Sequence, residues 1–224
     1  MSEHTINRRK FLKVTGYTVG AGALIALSIQ RFSVAHRPDL YYPEINIKDT
    51  PMTDKILITY ASCTGYTGGV AEMIRQTLAE KETPIDLCLM QNVREISSYK
   101  AVVAGSAVQG AQWLPEAMQF MQMHREALSK IPFATFTVCM TLAMPNGEKY
   151  RQGITEWVAP VRRLVKPVSE GFFAGALDIA RIPKLSDRIK FRLSVIMGVW
   201  NEGDHRNWDA IRKWAETVQP MLEK

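Results

Sequence analysis

Cysteine and histidine are scarce in this chain, and those present are scattered. Cys63, Cys88 and Cys139 form no complete disulfide framework and show no metal-ligand spacing. The histidines stand far apart, at positions 4, 36, 124 and 205, so no dedicated metal site is indicated. No Gly-x-Gly-x-x-Gly follows a strand and no Gly-x-x-x-x-Gly-Lys-Ser/Thr occurs, so neither a dinucleotide nor a nucleoside triphosphate is the natural guest. Ser106 follows Gly105 without a Gly-x-Ser-x-Gly elbow, which leaves hydrolase chemistry unsupported. Nor does any stretch join dense Lys/Arg to a recognition motif, so nucleic acid is not expected as a partner. Acidic residues are the minority, 22 against 28 Lys and Arg, for a net charge of +6. That balance favours an acidic protein, an anionic lipid surface or an anionic substrate. At 46% hydrophobic and 22% charged, the 224 residues make a globular protein with a core, one ordinary domain plus extra pieces.

The informative stretch is Lys55–Gly69, KILITYASCTGYTGG. Ile56-Leu57-Ile58-Thr59-Tyr60 is β-branched and aromatic, as a central strand requires. The chain then turns through Ser62, Thr64, Gly65 and Thr67 before Val70–Glu80 continues with helical spacing. Hydroxyls and a glycine between a strand end and a helix start make a phosphate cradle. Backbone N–H groups and the positive end of the helix supply the attraction.

From Lys55 onward strands and helices alternate. Short strands are expected at 84–89, 101–105, 131–138 and 169–174, and helices at Pro115–Leu128, Glu148–Val165 and Asn207–Leu222. This alternation predicts an α/β fold, a doubly wound five-stranded parallel sheet in a three-layer sandwich. Three loops then meet at the carboxyl edge of the sheet: 62–68, 106–113 and 139–147.

Ahead of this domain, Asn7-Arg8-Arg9-Lys10-Phe11-Leu12-Lys13 precedes an uncharged run from Val14 to Gln30. A basic head before a mildly apolar run is the pattern of a targeting segment, and the paired arginines resemble the twin-arginine export signal. Residues 1–35 are therefore expected to be either such a signal or a retained N-terminal membrane anchor. Residues 36–54, with Pro38, Pro43 and Pro51, read as a linker, and 55–224 as the domain. Near the C-terminus, 178–200 is a basic amphipathic segment. Ile182, Leu185, Ile189, Leu193 and Ile196 form its stripe, with Arg181, Lys184, Arg188, Lys190 and Arg192 around it. Either it meets a membrane surface or an apolar anion, or it packs on the sheet with solvated charges outward.

The spacing Ser62-x-Thr64-Gly65-x-Thr67 resembles the phosphate loop of flavodoxins. The resemblance implies a flavodoxin-like fold with FMN as cofactor, its phosphate in the first loop and its ring between the other two. The cofactor-binding residues it implies are Ser62, Cys63, Thr64, Gly65, Tyr66 and Thr67 in the first loop. In the second are Ser106, Ala107, Val108, Gln109, Gly110 and Trp113, and in the third Thr141, Leu142 and Ala143. Gly110 permits close backbone approach. Trp113 either contacts the ring or its edge, or belongs to the core of the following helix. Cys63 sits in a field that the phosphate occupies, with no histidine placed as its base, and reads as inert.

The span 55–222 is similar to the quinone-dependent protoporphyrinogen oxidase family through the phosphate loop, the Gly105-Ser106 strand end and Phe173-Ala174-Gly175-Ala176-Leu177. Asp204–Trp208, leading into the last helix, adds to the likeness. That resemblance implies oxidation of protoporphyrinogen IX with electrons passed through FMN to a membrane quinone. The loop after the third strand departs from the family, with Ala107, Val108 and Gln109 where basic and aromatic residues are usual. The other reading is an anchored or exported flavodoxin-type carrier serving a redox protein. On either reading the protein is expected at a membrane, on the external face if the signal is used and otherwise on the cytoplasmic face. No residue identifies itself as a general acid or base.

Overall fold

A computed structural model describes residues 40–47, 51–80 and 83–223. Residues 1–35, expected as signal or anchor, lie outside the described residues.

β1 (Ile56–Ala61) is buried along its whole length, as its mainly apolar run demands of a strand covered on both faces. It pairs in parallel with β2 (Ile85–Leu89) and with β3 (Ala101–Gln109). β3 continues to β5 (Phe133–Val138), and that strand to β6 (Ser169–Phe173), all parallel. The order β2-β1-β3-β5-β6 is the doubly wound arrangement expected, with a short antiparallel strand, β4 (Gln112–Trp113), added beside β3.

Helices α1 (Tyr66–Ala79) and α7 (Trp208–Leu222) cover one face. There Ile56, Ile58 and Tyr60 meet Val70, Ile74, Ile211 and Val218. The opposite face is covered by α2 (Pro115–Met123) and α5 (Ala159–Leu164), where Leu57 and Ala61 meet Ala117, Phe120 and Val161. Successive β1 residues thus feed opposite cores. Each fully buried Ile or Leu contributes about 1.5–3 kcal/mol.

Two expected helices are broken. Pro115–Leu128 divides at His124, whose ring packs 4.7 Å from that of Phe120, and α3 (Arg125–Leu128) follows. Glu148–Val165 divides at Val158 into α4 (Arg151–Trp157) and α5. Pro160 has no N–H for the Glu156 carbonyl, so a continuous helix fails there.

Part of the expected linker is instead packed against the domain. Ile45 bridges Leu87 antiparallel, with backbone bonds of 2.6 and 2.7 Å. Tyr60 Oη donates to the Pro43 carbonyl at 3.0 Å, and the Ile47 N–H to Asp86 Oδ1 at 2.8 Å. Lys55 ties the same end, its ammonium bonding the Ile47 carbonyl and pairing with Asp86 at 3.4 Å.

Between β6 and α7 the chain builds a small lobe. β7 (Ala176–Leu177) pairs antiparallel with β8 (Gly203–Asp204), and a 3-10 turn (Ile179–Arg181) precedes α6 (Leu185–Ile196). Leu177, Ile179, Ile182 and Trp200 form its core, with Phe191 and Val195 packed against them. Of the stripe read from sequence, Ile182 joins this core, but its members on α6 turn outward: Leu185 and Ile196 are 66% and 76% exposed, and Ile189 is exposed too. Phe191 and Val195 take the inner face because Trp200 offers them a partner.

The expectation of membrane association is corrected by the structure. No helix among the described residues is long and apolar enough to cross a membrane.

Candidate functional site

Ser62–Thr67 sits at the carboxyl end of β1, where the strand hands over to α1. Gly65, the residue before the helix, has φ +83°, a left-handed turn that glycine takes at little cost. Its N–H donates to Ser62 Oγ at 3.0 Å, closing the loop on itself while leaving the serine hydroxyl proton free to donate. Gly68 N–H returns to the Gly65 carbonyl at 3.0 Å. The amides of Tyr66 and Thr67, in the first turn, have no acceptor within the helix. Thr64 is half-buried and Thr67 buried. This loop is a concave set of N–H and O–H donors at the positive end of a 14-residue helix, and it suits a phosphate.

Cys63 lies in the same loop, its thiol pushed up first by burial and then by Glu116. It is no nucleophile at neutral pH. The Cys63 carbonyl accepts from Tyr42 Oη at 3.3 Å, so the N-terminal segment closes one side of the loop. A cavity of about 190 Å³ opens there, lined by Tyr42, Tyr60, Ser62, Met90, Gln91 and Glu116, among others.

The opposite side belongs to the small lobe. The guanidinium groups of Arg181 and Arg206 both lie over the Tyr66 ring, 4.9 and 5.1 Å from its centre. Burial raises the Tyr66 phenol, with Arg181 pulling against it. Arg206 donates to the Tyr66 carbonyl at 3.2 Å and to Asp204 at 2.6 and 2.8 Å. Gly69 leaves room for it, since a Cβ there would overlap Arg206.

The second expected loop is mostly a hairpin. β3 runs through Gln109, and a two-residue turn at Gly110 and Ala111, both near φ +60°, leads into β4. Two successive left-handed residues are the turn that matches strand twist. Ser106 is fully buried: its hydroxyl accepts from the Leu114 N–H at 3.1 Å and donates to the Ala107 carbonyl at 2.8 Å. Trp113 is buried as well, its indole N–H donating to Thr137 Oγ1 at 3.0 Å. These two side chains serve the core, the second of the two places open to Trp113. Ala107 and Val108 remain half-buried and Gln109 and Gly110 exposed at the hairpin's end.

The third loop begins with a 3-10 turn over Met140–Ala143. Thr141 is buried, while Leu142 and Ala143 are half-buried. Gly147 tucks beneath the Leu142 carbonyl, where a Cβ would overlap it. Leu142 and Val108 pack against one cluster of Ala111, Cys139, Ile154 and Trp157. The structure therefore brings Val108 of the second loop and Leu142 of the third onto one apolar cluster at the carboxyl edge of the sheet. Aromatic side chains from these two loops do not line it.

Sequence reading missed Tyr41, Tyr42, Arg181 and Arg206. The first pair was hidden in an apparent linker. The basic character of 178–200 signalled Arg181 alone, and Arg206 lay within Asp204–Trp208, read only as a likeness.

A doubly wound parallel sheet with a hydroxyl-rich cradle after its first strand and an apolar cluster at its carboxyl edge defines a mononucleotide-binding α/β protein. The chain belongs to the flavodoxin-domain family, whose model matches residues 57–204. FMN is the cofactor of that family, and the donors of the cradle and the apolar cluster both fit it. Among solved structures, the chain is similar to a short-chain flavodoxin associated with a non-canonical PDU bacterial microcompartment. Identity is 12%, coverage 75% of this chain and 98% of that one, and the TM-score 0.48. A Fusobacterium nucleatum flavodoxin bound to flavin mononucleotide gives 12% identity, 75% and 98% coverage and a TM-score of 0.44. Oxidised flavodoxin 2 from Bacillus cereus gives 22% identity, 64% and 99% coverage and 0.39. No curated protein matches the chain.

Proposed function

We propose that this FMN-binding oxidoreductase oxidises protoporphyrinogen IX and reduces a quinone. The observation that carries this reading is the lobe 174–207, attached to the phosphate loop through Tyr66. Its helix α6 sets exposed Leu185, Ile189 and Ile196 beside exposed Lys184 and Lys190. Apolar side chains flanked by ammonium groups suit a large, flat, hydrophobic molecule that carries carboxylates, as a porphyrinogen does.

Bound FMN supplies a ring that takes up a pair of electrons from a reduced substrate and returns them to an acceptor. Oxidation of the porphyrinogen to the porphyrin releases six hydrogens, so three two-electron cycles reduce three quinones to three quinols. The chain's own part is binding and orientation. Ser62, Thr64 and Thr67 would hold the phosphate, Val108 and Leu142 would offer apolar surface to the ring, and the α6 face would receive the substrate.

A second reading is a flavodoxin-type electron carrier. Ala107, Val108, Gln109, Thr141, Leu142 and Ala143 include no ionisable side chain, and a carrier needs none there.

Anaerobic mixing with protoporphyrinogen IX, followed by stopped-flow reoxidation with a menaquinone analogue, tests both readings. Fast flavin reduction and fast reoxidation are expected. Reoxidation without reduction by the porphyrinogen discards that substrate and keeps the quinone. Neither step, with flavin bound, leaves the carrier.

A further inference from the structure

The two arginines beside Tyr66 are not equivalent. Arg206 is engaged throughout: Nε and Nη2 bond Asp204, Nη1 bonds the Tyr66 carbonyl, and the guanidinium lies 4.3 Å from the Trp208 ring. It is a strut. Arg181 is held less completely. Its nearest acid, Asp178, stands 3.4 Å from Nε, and Nε is buried without a hydrogen bond. Yet 26% of the side chain is exposed, so the guanidinium is not sealed in and its Nε is unsatisfied.

The backbone carrying Arg181 is fixed from several directions. Asp178 Oδ1 accepts from the Ala180 N–H at 2.9 Å, and Glu202 accepts from the Ile179 N–H at 3.0 Å. Arg188 reaches back from α6 to the carbonyls of Ala180 and Ile182, at 2.7 and 2.6 Å. Asp178 Oδ2 also stands 3.5 Å from Tyr66 Oη, so one carboxylate locates both Arg181 and the tyrosine ring. An under-satisfied guanidinium is thus held against the first residue of α1, on the turn whose free amides make the cradle.

We infer that Arg181 is a phosphate-binding residue for FMN, so that the lobe 174–207 takes part in holding the cofactor. The inference rests on the FMN assignment. A phosphate dianion offers more acceptor positions than the loop's hydroxyls and amides fill, and a guanidinium supplies charge-assisted bonds to it. Riboflavin lacks the phosphate, so Arg181 makes no direct contribution to its binding. Asp178 and Arg206 act as positioning residues.

The test is titration of the flavin-free full chain with FMN and with riboflavin, followed by flavin fluorescence at low and high salt. In the wild type, FMN is expected to bind more tightly than riboflavin, with affinity falling as salt rises. R181Q is expected to weaken FMN about tenfold or more, to leave riboflavin unchanged and to flatten the salt dependence. R181K is expected to recover part of the loss. FMN affinity unchanged in R181Q, or FMN and riboflavin weakened equally, overturns the inference. A wild type that binds no flavin defeats the FMN assignment itself, and this inference with it. Should R181Q fail to fold, phenylglyoxal modification of the wild type decides the matter. Protection of Arg181 by FMN and not by riboflavin supports the role, and equal modification under both overturns it.

Discussion

The carbonyl oxygen of Tyr41 stands 2.8 Å from the point a Cβ on Gly65 would occupy. Gly65 therefore answers two demands at once: a left-handed turn, and room for the Tyr41 backbone beside it. Gly65→Ala is expected to cost about 1–2 kcal/mol from backbone strain alone. It also pushes Tyr41 away from the loop. Chemical denaturation and FMN titration are expected to show both losses, and unchanged values in either would count against the close approach.

The hydroxyls of the cradle are open to a direct test. Hydrogen bonds to a charged group are worth about 1.5–3 kcal/mol each. Thr64→Ala and Thr67→Ala are each expected to weaken FMN binding about tenfold or more, and the double variant more again. Retention of flavin through gel filtration by the double variant would remove the phosphate from this loop.

Lys55 and Asp86 form a pair with both side chains almost wholly buried, 3.4 Å apart, and Tyr99 Oη donates to the same carboxylate at 2.9 Å. Removing one partner strands the other's charge, so Asp86→Ala is expected to cost about 3–5 kcal/mol in urea unfolding. Because Asp86 also holds Ile47, hydrogen exchange at the Ile45 and Leu87 amides is expected to accelerate in this variant. Loss of stability without faster exchange there would separate the pair from the packing of 40–47.

Thr59, in the middle of β1, has a buried hydroxyl with no hydrogen-bond partner. Thr59→Val keeps the shape and removes the unpaired oxygen. It is expected to raise unfolding free energy by about 1 kcal/mol. A loss of similar size would mean that an ordered water satisfies the hydroxyl.

Alkali is expected to destabilise the fold. Burial pushes the Cys88 thiol from an ordinary value of 9.0 up to about 12, with Glu44 and Asp86 adding to the shift. Burial also raises Cys139, Tyr60 and Tyr99. These groups are neutral when protonated, so the unfolded chain releases its protons first. The Cys88 contribution is complete below pH 9 and is lost as pH climbs from there towards about 12. Unfolding midpoints measured from pH 7 to 11 check the direction, and slow alkylation of Cys88 in the native protein near neutral pH accompanies it.

Much of this was legible in the chain because the determining signals are local. An apolar run, a hydroxyl-rich turn and a helical stripe at 56–80 each announce their structure, and their alternation fixes the sheet. The hairpin at 109–112 was not legible. Its turn needs a left-handed Ala111, which no propensity favours, and is held by pairing of Val108 with Trp113. Trp113 itself illustrates the limit: its place in the core depends on Thr137, a neighbour only after folding. The outward turn of Leu185 and Ile196 has the same origin, since periodicity identifies two faces of a helix and tertiary partners choose between them. Residues 40–47 read as a linker because the spaced prolines Pro38, Pro43 and Pro51 conceal the bridge from Ile45 to Leu87.

That edge segment has a mechanical consequence. Tyr41 and Tyr42 lie at the phosphate loop, while Ile47 is fastened by Asp86 and Lys55 at the far end of the segment. Tension applied at residue 40 would peel the segment in sequence, one pairing at a time. Gly65 and Cys63 would lose their neighbours while Ile45 and Ile47 still held. The cradle, rather than the sheet, would register the load first.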